Sequence, residues 1–144
     1  MIRNAELHDL FQIIELEKKV FKEPLTKEFI YQELTLNPFS YYLVLEVKKE
    51  IIGYIGFRVV DEVAEMMNFA IDPEHQGQGY GKEILNFVLN AFKDKNVKTI
   101  TLEVRKSNKK AIHLYESYGF IQSHVRKQYY GNEDGIVYIK EVTP

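Results

Sequence analysis

The heptapeptide Gln76-Gly77-Gln78-Gly79-Tyr80-Gly81-Lys82 places a glycine at every second position between two segments of opposite periodicity. Before it, Val63–Ile71 reads as a strand that Asp72-Pro73 stops. After it, Ile84, Leu85, Val88, Leu89 and Phe92 recur at helical spacing and predict a helix over residues 80–94. The chain is therefore held to a strand, a tight glycine turn and a helix start. Glycine lets the backbone turn sharply and removes side chains that would keep an anion at a distance. The free N–H groups of the first helical turn then point outward, aided by the helix dipole. Lys82 can add a positive charge there or lie in solvent. Local chemistry leaves two readings, a phosphate cradle and a turn that only starts a helix.

The remaining periodicities surround this junction with further elements. Residues 1–5 read as a short edge strand, and Leu7, Leu10, Phe11, Ile14 and Val20 predict an amphipathic helix over 7–20. Thr26 can cap a second helix carrying Phe29, Ile30 and Leu34, which ends before Pro38. Residues 41–47 and 51–60 form a hairpin pattern across Lys48-Lys49-Glu50. Downstream, Thr99–Arg105 alternates Ile100, Leu102 and Val104 with Thr101, Glu103 and Arg105, so the two sets occupy opposite faces of a strand. A shorter helix follows over 107–118, with Ser107 as its cap and Gly119 as its stop. A hairpin of 120–130 and 136–142 closes the chain. The order β-α-α-β-β-β-α-β-α-β-β indicates one mixed α/β domain over 1–144.

Bulk properties remove several classes of function. The 144 residues contain no cysteine, which excludes disulfides, thiolate metal sites and a cysteinyl intermediate and is compatible with a cytoplasmic protein. Charged residues begin at Arg3, and no apolar run approaches the length of a signal peptide or membrane span. The net charge of −2 is built from intermixed signs, which offers no basic face for nucleic acid. His8, His75, His113 and His124 lack ligand spacing, so no metal is expected. A strained Gly-x-Ser-x-Gly nucleophile turn is absent from the sequence. Gly81-Lys82-Glu83 lacks the hydroxyl of a Walker loop. The glycine turn also follows several strands, whereas a dinucleotide fold places it after the first.

The stretch 76–81, preceded by Asn68-Phe69-Ala70-Ile71-Asp72-Pro73, resembles the Gln/Arg-x-x-Gly-x-Gly/Ala signature of the GNAT family of N-acetyltransferases. The resemblance implies a mixed, mostly antiparallel sheet of about seven strands flanked by four helices, and acetyl-CoA as acetyl donor. It implies that Gly77, Gln78, Gly79, Tyr80, Gly81 and Lys82 hold the pyrophosphate. It further implies that the main chain of Phe69, Ala70 and Ile71, on a bulged strand, binds the pantetheine arm and polarises the thioester.

Acyl transfer to an amine needs a neutral amine, a stabilised oxyanion and a proton for the departing thiolate. An N-terminal amine titrates near pH 8 and a lysine near 10.4, so a carboxylate is a reasonable base for the former. Glu103 is the candidate; read locally it is more simply a surface glutamate paired with Lys98 or Arg105. Tyr115 lies on a helix face with Ala111, Ile112, Leu114 and Tyr118, where its hydroxyl can protonate a thiolate or simply find a buried partner. Asn108 can hold the cofactor arm or be a polar first-turn residue.

The run Leu102-Glu103-Val104-Arg105-Lys106-Ser107-Asn108, with Ala111, Leu114-Tyr115-Glu116, Gly119-Phe120, Arg126, Tyr129-Tyr130 and Glu133-Asp134, resembles the ribosomal-protein alanine N-acetyltransferase branch of that family. The likeness extends over essentially the whole chain. It implies Glu103 as base, Tyr115 as acid and Asn108 as a coenzyme A contact. The implied partner is a protein N-terminus, above all the N-terminal alanine of a small-subunit ribosomal protein, with the enzyme a monomer or weak homodimer; acetylation of a lysine side chain or small amine, and a non-catalytic coenzyme A-binding module, are the alternatives. Pro24-Leu25 replaces the branch's Pro-Trp and Glu133-Asp134-Gly135 its Glu-Asp-Ala, both where the family receives the peptide. Tyr31, Tyr41, Tyr42, Tyr129 and Tyr130 offer aromatic surface for an acceptor groove or cross-strand packing.

Overall fold

The computed structural model describes residues 1–142; Thr143 and Pro144, the end of the expected 1–144 domain, lie outside the described residues. Seven strands form one sheet in the order β1-β2-β3-β4-β5-β7-β6. They are β1 (Ile2–Asn4), β2 (Ser40–Val47), β3 (Glu50–Val60), β4 (Val63–Ile71), β5 (Thr99–Arg105), β6 (Ile121–Arg126) and β7 (Gly135–Glu141). Four helices flank it: α1 (Leu10–Val20), α2 (Lys27–Thr35), α3 (Tyr80–Asp94) and α4 (Lys109–Ser117). Every strand pairing is antiparallel except that of β4 with β5, which α3 connects.

Two apolar clusters sandwich the sheet. On one face Ile84, Leu85, Val88 and Phe92 of α3 and Tyr115 of α4 pack on Leu43, Ile55, Phe57, Ile100, Leu102 and Val104. Phe92 meets Phe57 edge-on at 4.9 Å, and neither ring is exposed. Emptying that contact, as in Phe92→Ala, costs about 3–5 kcal/mol. On the other face Leu10, Ile13 and Ile14 of α1 and Ile30 of α2 cover Tyr42, Val44 and Tyr54. Alternation along β2 sends Tyr41 to the first face, against Phe92 at 5.7 Å, and Tyr42 to the second.

Three local expectations shift. The first helix is broken: Leu7–Asp9 is a 3-10 turn before α1, because Asp9 Oδ2 takes the Glu6 N–H and locks a separate first turn. Asn108, not Ser107, caps α4, its Oδ1 accepting the Ala111 N–H at 3.2 Å. The strand expected over 120–130 ends at Arg126. Gln128 adopts φ 50°, and Gly131 N–H returns to the Gln128 carbonyl, so Tyr129 and Tyr130 belong to a turn.

Two irregularities shape the middle of the sheet. Gly56 pairs with Asn68 but Phe57 with Met66, so Met67 is an extra residue that bulges β4. Beyond this, β4 and β5 share only Val63↔Thr99, Ala64↔Ile100 and Glu65↔Thr101, and then separate. The C-terminal halves of these two central strands thus border a wedge.

Candidate active site

The phase of the β3–β4 ladder decides which backbone groups look into the wedge. Asp72 N–H donates to the Ile52 carbonyl at 2.8 Å, and hydrogen-bonded pairs recur every second residue. Ala70 is therefore directed towards Tyr54 of β3, whereas Phe69 and Ile71 turn their N–H and C=O groups away from it. Side chains at the wedge bear this out. Asn68 Oδ1 accepts the Phe69 N–H at 3.1 Å, and Gln76 Nε2 donates to the Ile71 carbonyl at 3.0 Å.

The glycine turn opens on the same wedge. Gly77 and Gly79 adopt φ of 79° and 89°, a region that side chains other than glycine resist. Gly79 is the N-cap of α3, and its carbonyl accepts the Glu83 N–H at 3.0 Å. The N–H groups of Tyr80, Gly81 and Lys82 precede that first helical bond and have no acceptor within the helix. Gln78 and Lys82 are exposed around them. A Cβ at Gly81 would lie 3.7 Å from both Leu114 of α4 and Phe69 of β4, so cradle, wedge and α4 converge at this point. Tyr118, which caps the C-terminus of α4, seals the junction by donating its hydroxyl to the Lys82 carbonyl at 3.2 Å.

Tyr115 is 6% exposed, and its hydroxyl meets only a soft acceptor among the described residues, Met66 Sδ at 3.6 Å. Burial pushes the phenol well above its ordinary value, which keeps the proton on oxygen. Glu103 belongs to the opposite face. Its neighbours Leu102 and Val104 enter the α3/α4 core, so its own side chain points towards the α1/α2 side. The local alternatives for its partner are displaced: Lys98 pairs with Glu62, Arg105 pairs with Glu133, and Arg126 donates to Glu103 Oε1 at 3.0 Å. Glu103 on β5 and Tyr115, whose hydroxyl meets Met66 of β4, thus lie on opposite faces of the sheet beside the diverging strands.

The surroundings of Glu103 form a lip. The rings of Tyr129 and Tyr130 meet at 87°, with the Arg126 guanidinium over one and that of Arg105 over the other. Burial, and then the nearby Glu103 charge, raise the Tyr130 phenol. A Cβ at Gly135 would stand 3.2 Å from Tyr130 Cε2 and 3.4 Å from Glu103 Cγ, closer than this packing accepts without movement. Arg105 also reaches Glu23 of the α1–α2 loop at 3.8 Å, so that loop overlooks the same face. Of the tyrosines considered for a groove, Tyr129 and Tyr130 border Glu103. Tyr42 is buried on Glu33, and Tyr31 lies exposed on α2. Asn108 sits at the β5–α4 turn with its Oδ1 engaged in capping.

Met66 joins the site without a signal in the sequence, and Asn68 reads there only as part of the strand before the glycine turn. Among the described residues no His, Cys, Asp or Glu group is arranged to hold a metal, and no helix is long and apolar enough to cross a membrane.

Known proteins resemble this chain in sequence and fold. Residues 7–120 match the model of the acetyltransferase (GNAT) family. A Bacillus subtilis (strain 168) protein, provisionally named as a [ribosomal protein bS18]-alanine N-acetyltransferase, is 36% identical over 138 residues, covering 94% of this chain and 91% of that one. The [ribosomal protein bS18]-alanine N-acetyltransferase of Haemophilus ducreyi (strain 35000HP) is 33% identical over 137 residues, 94% and 92% of the two chains. The crystal structure of the ribosomal-protein-S18-alanine N-acetyltransferase from Escherichia coli superposes with a TM-score of 0.94 at 28% identity, covering 100% of this chain and 94% of that chain. With its bulged strand, its diverging central pair and its glycine cradle at the start of α3, the chain belongs to the GNAT family of acetyltransferases.

Proposed function

We propose that this protein acetylates the N-terminal alanine of ribosomal protein bS18, using acetyl-CoA. One arrangement supports the reading: Glu103 on β5 and Tyr115, against Met66 of β4, flank the diverging strands from opposite faces of the sheet, which suits a base and an acid serving two substrates. The acceptor identity rests on the names borne by relatives that match over nearly the full length of the chain.

Acetyl-CoA supplies an activated acyl group, and the residues present suit it. The N–H groups of Tyr80, Gly81 and Lys82, presented by the turn Gly77-Gln78-Gly79, suit a pyrophosphate, with the Lys82 ammonium adding charge. Phe69 and Ile71 offer outward main-chain groups to the pantetheine amides, and Asn108 borders the arm from α4. Ala70 contributes by keeping β4 in its ladder. The Phe69 N–H is directed where it can hold the carbonyl oxygen as charge develops. Glu103 takes a proton from the peptide amine, directly or through water, and Tyr115 returns one to the departing sulfur. Arg126 leaves Glu103 Oε2 without a hydrogen bond among the described residues, so one oxygen is available to the amine. Tyr129, Tyr130 and the loop bearing Glu23 receive the peptide. Since one chain supplies every group named, a monomer suffices, and a ribosomal acceptor places the reaction in the cytoplasm.

The test is to incubate the protein with acetyl-CoA and peptides beginning with alanine, serine or methionine, together with an N-blocked lysine peptide, and to map acetylation by mass spectrometry. Acetyl on the terminal alanine of the bS18 sequence is expected. Modification of lysine side chains alone would refute the α-amine assignment.

A further inference from the structure

Among the described residues the transfer chemistry leaves unused one carboxylate with no exposed surface at all. Glu17 of α1 is 0% exposed and lies on the stripe where the helix should carry an apolar side chain. A carboxylate is costly to bury unless its oxygens are satisfied. Glu17 collects three donors from three parts of the chain. Its Oε2 accepts from the Tyr54 hydroxyl and from Asn68 Nδ2, both at 2.5 Å, and its Oε1 accepts the Leu25 main-chain N–H at 2.9 Å.

These partners lie at opposite margins of the site. Asn68 follows the β4 bulge, and its other carboxamide atom, Oδ1, accepts the Phe69 N–H. Leu25 lies in the loop whose Glu23 reaches Arg105, on the Glu103 face of β5. A continuous path of short polar contacts thus runs from the loop over Glu103, through one buried carboxylate, to the amide that faces the wedge.

We propose that Glu17 is a positioning residue of the transfer site, which holds the 21–26 loop in register with Asn68 and the Phe69 N–H. The proposal rests on the acetyl-transfer reading given above. Tyr54 supplies the fixed point, stacked on Tyr42 in the core of the second face. Asn68 supplies the moving one, since its Oδ1 must yield the Phe69 N–H whenever another acceptor takes it.

E17Q separates this role from mere packing. A glutamine amide keeps one acceptor oxygen and turns the other atom into a donor. The oxygen is best retained where two donors converge, at Tyr54 and Asn68, leaving an N–H₂ group against the Leu25 N–H. The fold should persist while the loop comes loose. The expected kinetic result is a KM for the alanine-initiated peptide raised about tenfold, the loss of one charge-assisted hydrogen bond, with KM for acetyl-CoA and kcat unchanged. N68A, which cuts the other end of the path, should instead lower kcat. The second readout is amide hydrogen exchange: Leu25 should exchange faster in E17Q, and coenzyme A should slow it in the wild type but not in the variant. Equal peptide KM in wild type and E17Q, or unaltered exchange at Leu25, would overturn the proposal. If the wild type acetylated no α-amine, the acetyl-transfer reading would fall, and the exchange measurement would still decide the role of Glu17.

Discussion

Two glycines on either side of the start of α3 should respond to alanine in opposite ways. Gly79 caps α3 at φ 89° and a Cβ there would touch nothing within 4 Å, so its objection to a side chain is purely conformational. Forcing alanine into the left-handed region costs about 1–2 kcal/mol. For a domain of this size that lowers Tm by roughly 3–6 °C. Relief of the strain would rotate the peptide units that aim the Tyr80 to Lys82 N–H groups. Losing one hydrogen bond to a charged phosphate would then weaken coenzyme A binding about tenfold or more. Gly81 lies inside the helix without a positive φ, and its added Cβ would make ordinary contact with Leu114 and Phe69 at 3.7 Å. Replacing a helical glycine by alanine gains about 0.5–1 kcal/mol, so Gly81→Ala should melt roughly 2–3 °C higher and bind coenzyme A as the wild type does. Thermal unfolding and titration calorimetry with coenzyme A read both quantities. If Gly79→Ala matched the wild type in both, the turn would be only a helix start and the cradle argument would fail.

Glu103→Gln should reduce kcat by about 10²–10⁴ with coenzyme A affinity intact, as measured by single-turnover acetylation; retained turnover would remove Glu103 as the base. Tyr115→Phe keeps the ring packing and gives up only a 3.6 Å contact to Met66, so its Tm should hold while the transfer rate drops; a stability loss with normal chemistry would make Tyr115 a packing residue. Acid stability should follow Asp9 and Glu33. Burial pushes both carboxyls up, but hydrogen bonds outweigh it, from Arg3 and the Glu6 N–H to Asp9, and from Arg58, Asn37 and Tyr42 to Glu33. Both therefore titrate below the ordinary range. Their stabilisation is complete above about pH 4, the unfolded carboxylate value, and is lost as pH falls through their lower folded values. Glu17, which burial raises, has the opposite sign and costs stability as pH climbs from the unfolded value through its own. Melting curves between pH 7 and pH 3 should show a smaller drop for Glu33→Gln than for the wild type; an equal drop would assign the acid sensitivity elsewhere.

What could be read in the chain was whatever a short window determines. Glycine is demanded at Gly77 and Gly79 by backbone sign, and the facing of Glu103 follows from simple alternation between Leu102 and Val104. The partner of Glu103 was hidden because it depends on the register of two further strands, which aligns Arg126 with Gly135 and Gly135 with Arg105. Ser107 and Asn108 are both good cap residues, and only the Ala111 contact chooses between them. The aromatic pair Tyr129-Tyr130 favours a strand by propensity, yet the turn at Gln128 and the guanidinium groups beneath the rings hold it elsewhere. The burial of Glu17 and Glu33 has no signal in the residues around them. Their true partners, Tyr54, Asn68, Tyr42 and Arg58, come from strands distant in sequence.

The early parting of β4 and β5 has a thermodynamic corollary. Two adjacent strands that stop sharing hydrogen bonds after Glu65 and Thr101 leave polar main chain for a guest to satisfy, so a donor with amides along its length is welcomed as an eighth strand would be. Occupancy and cooperativity of the two halves of the sheet then become one quantity. Each tenfold rise in coenzyme A above its dissociation constant should add about 1.4 kcal/mol to unfolding. That increment should be shared by amides in β5, β7 and β6 as much as by those of the cradle, because the guest would fasten together two halves of the sheet whose strands pair at only three positions among the described residues.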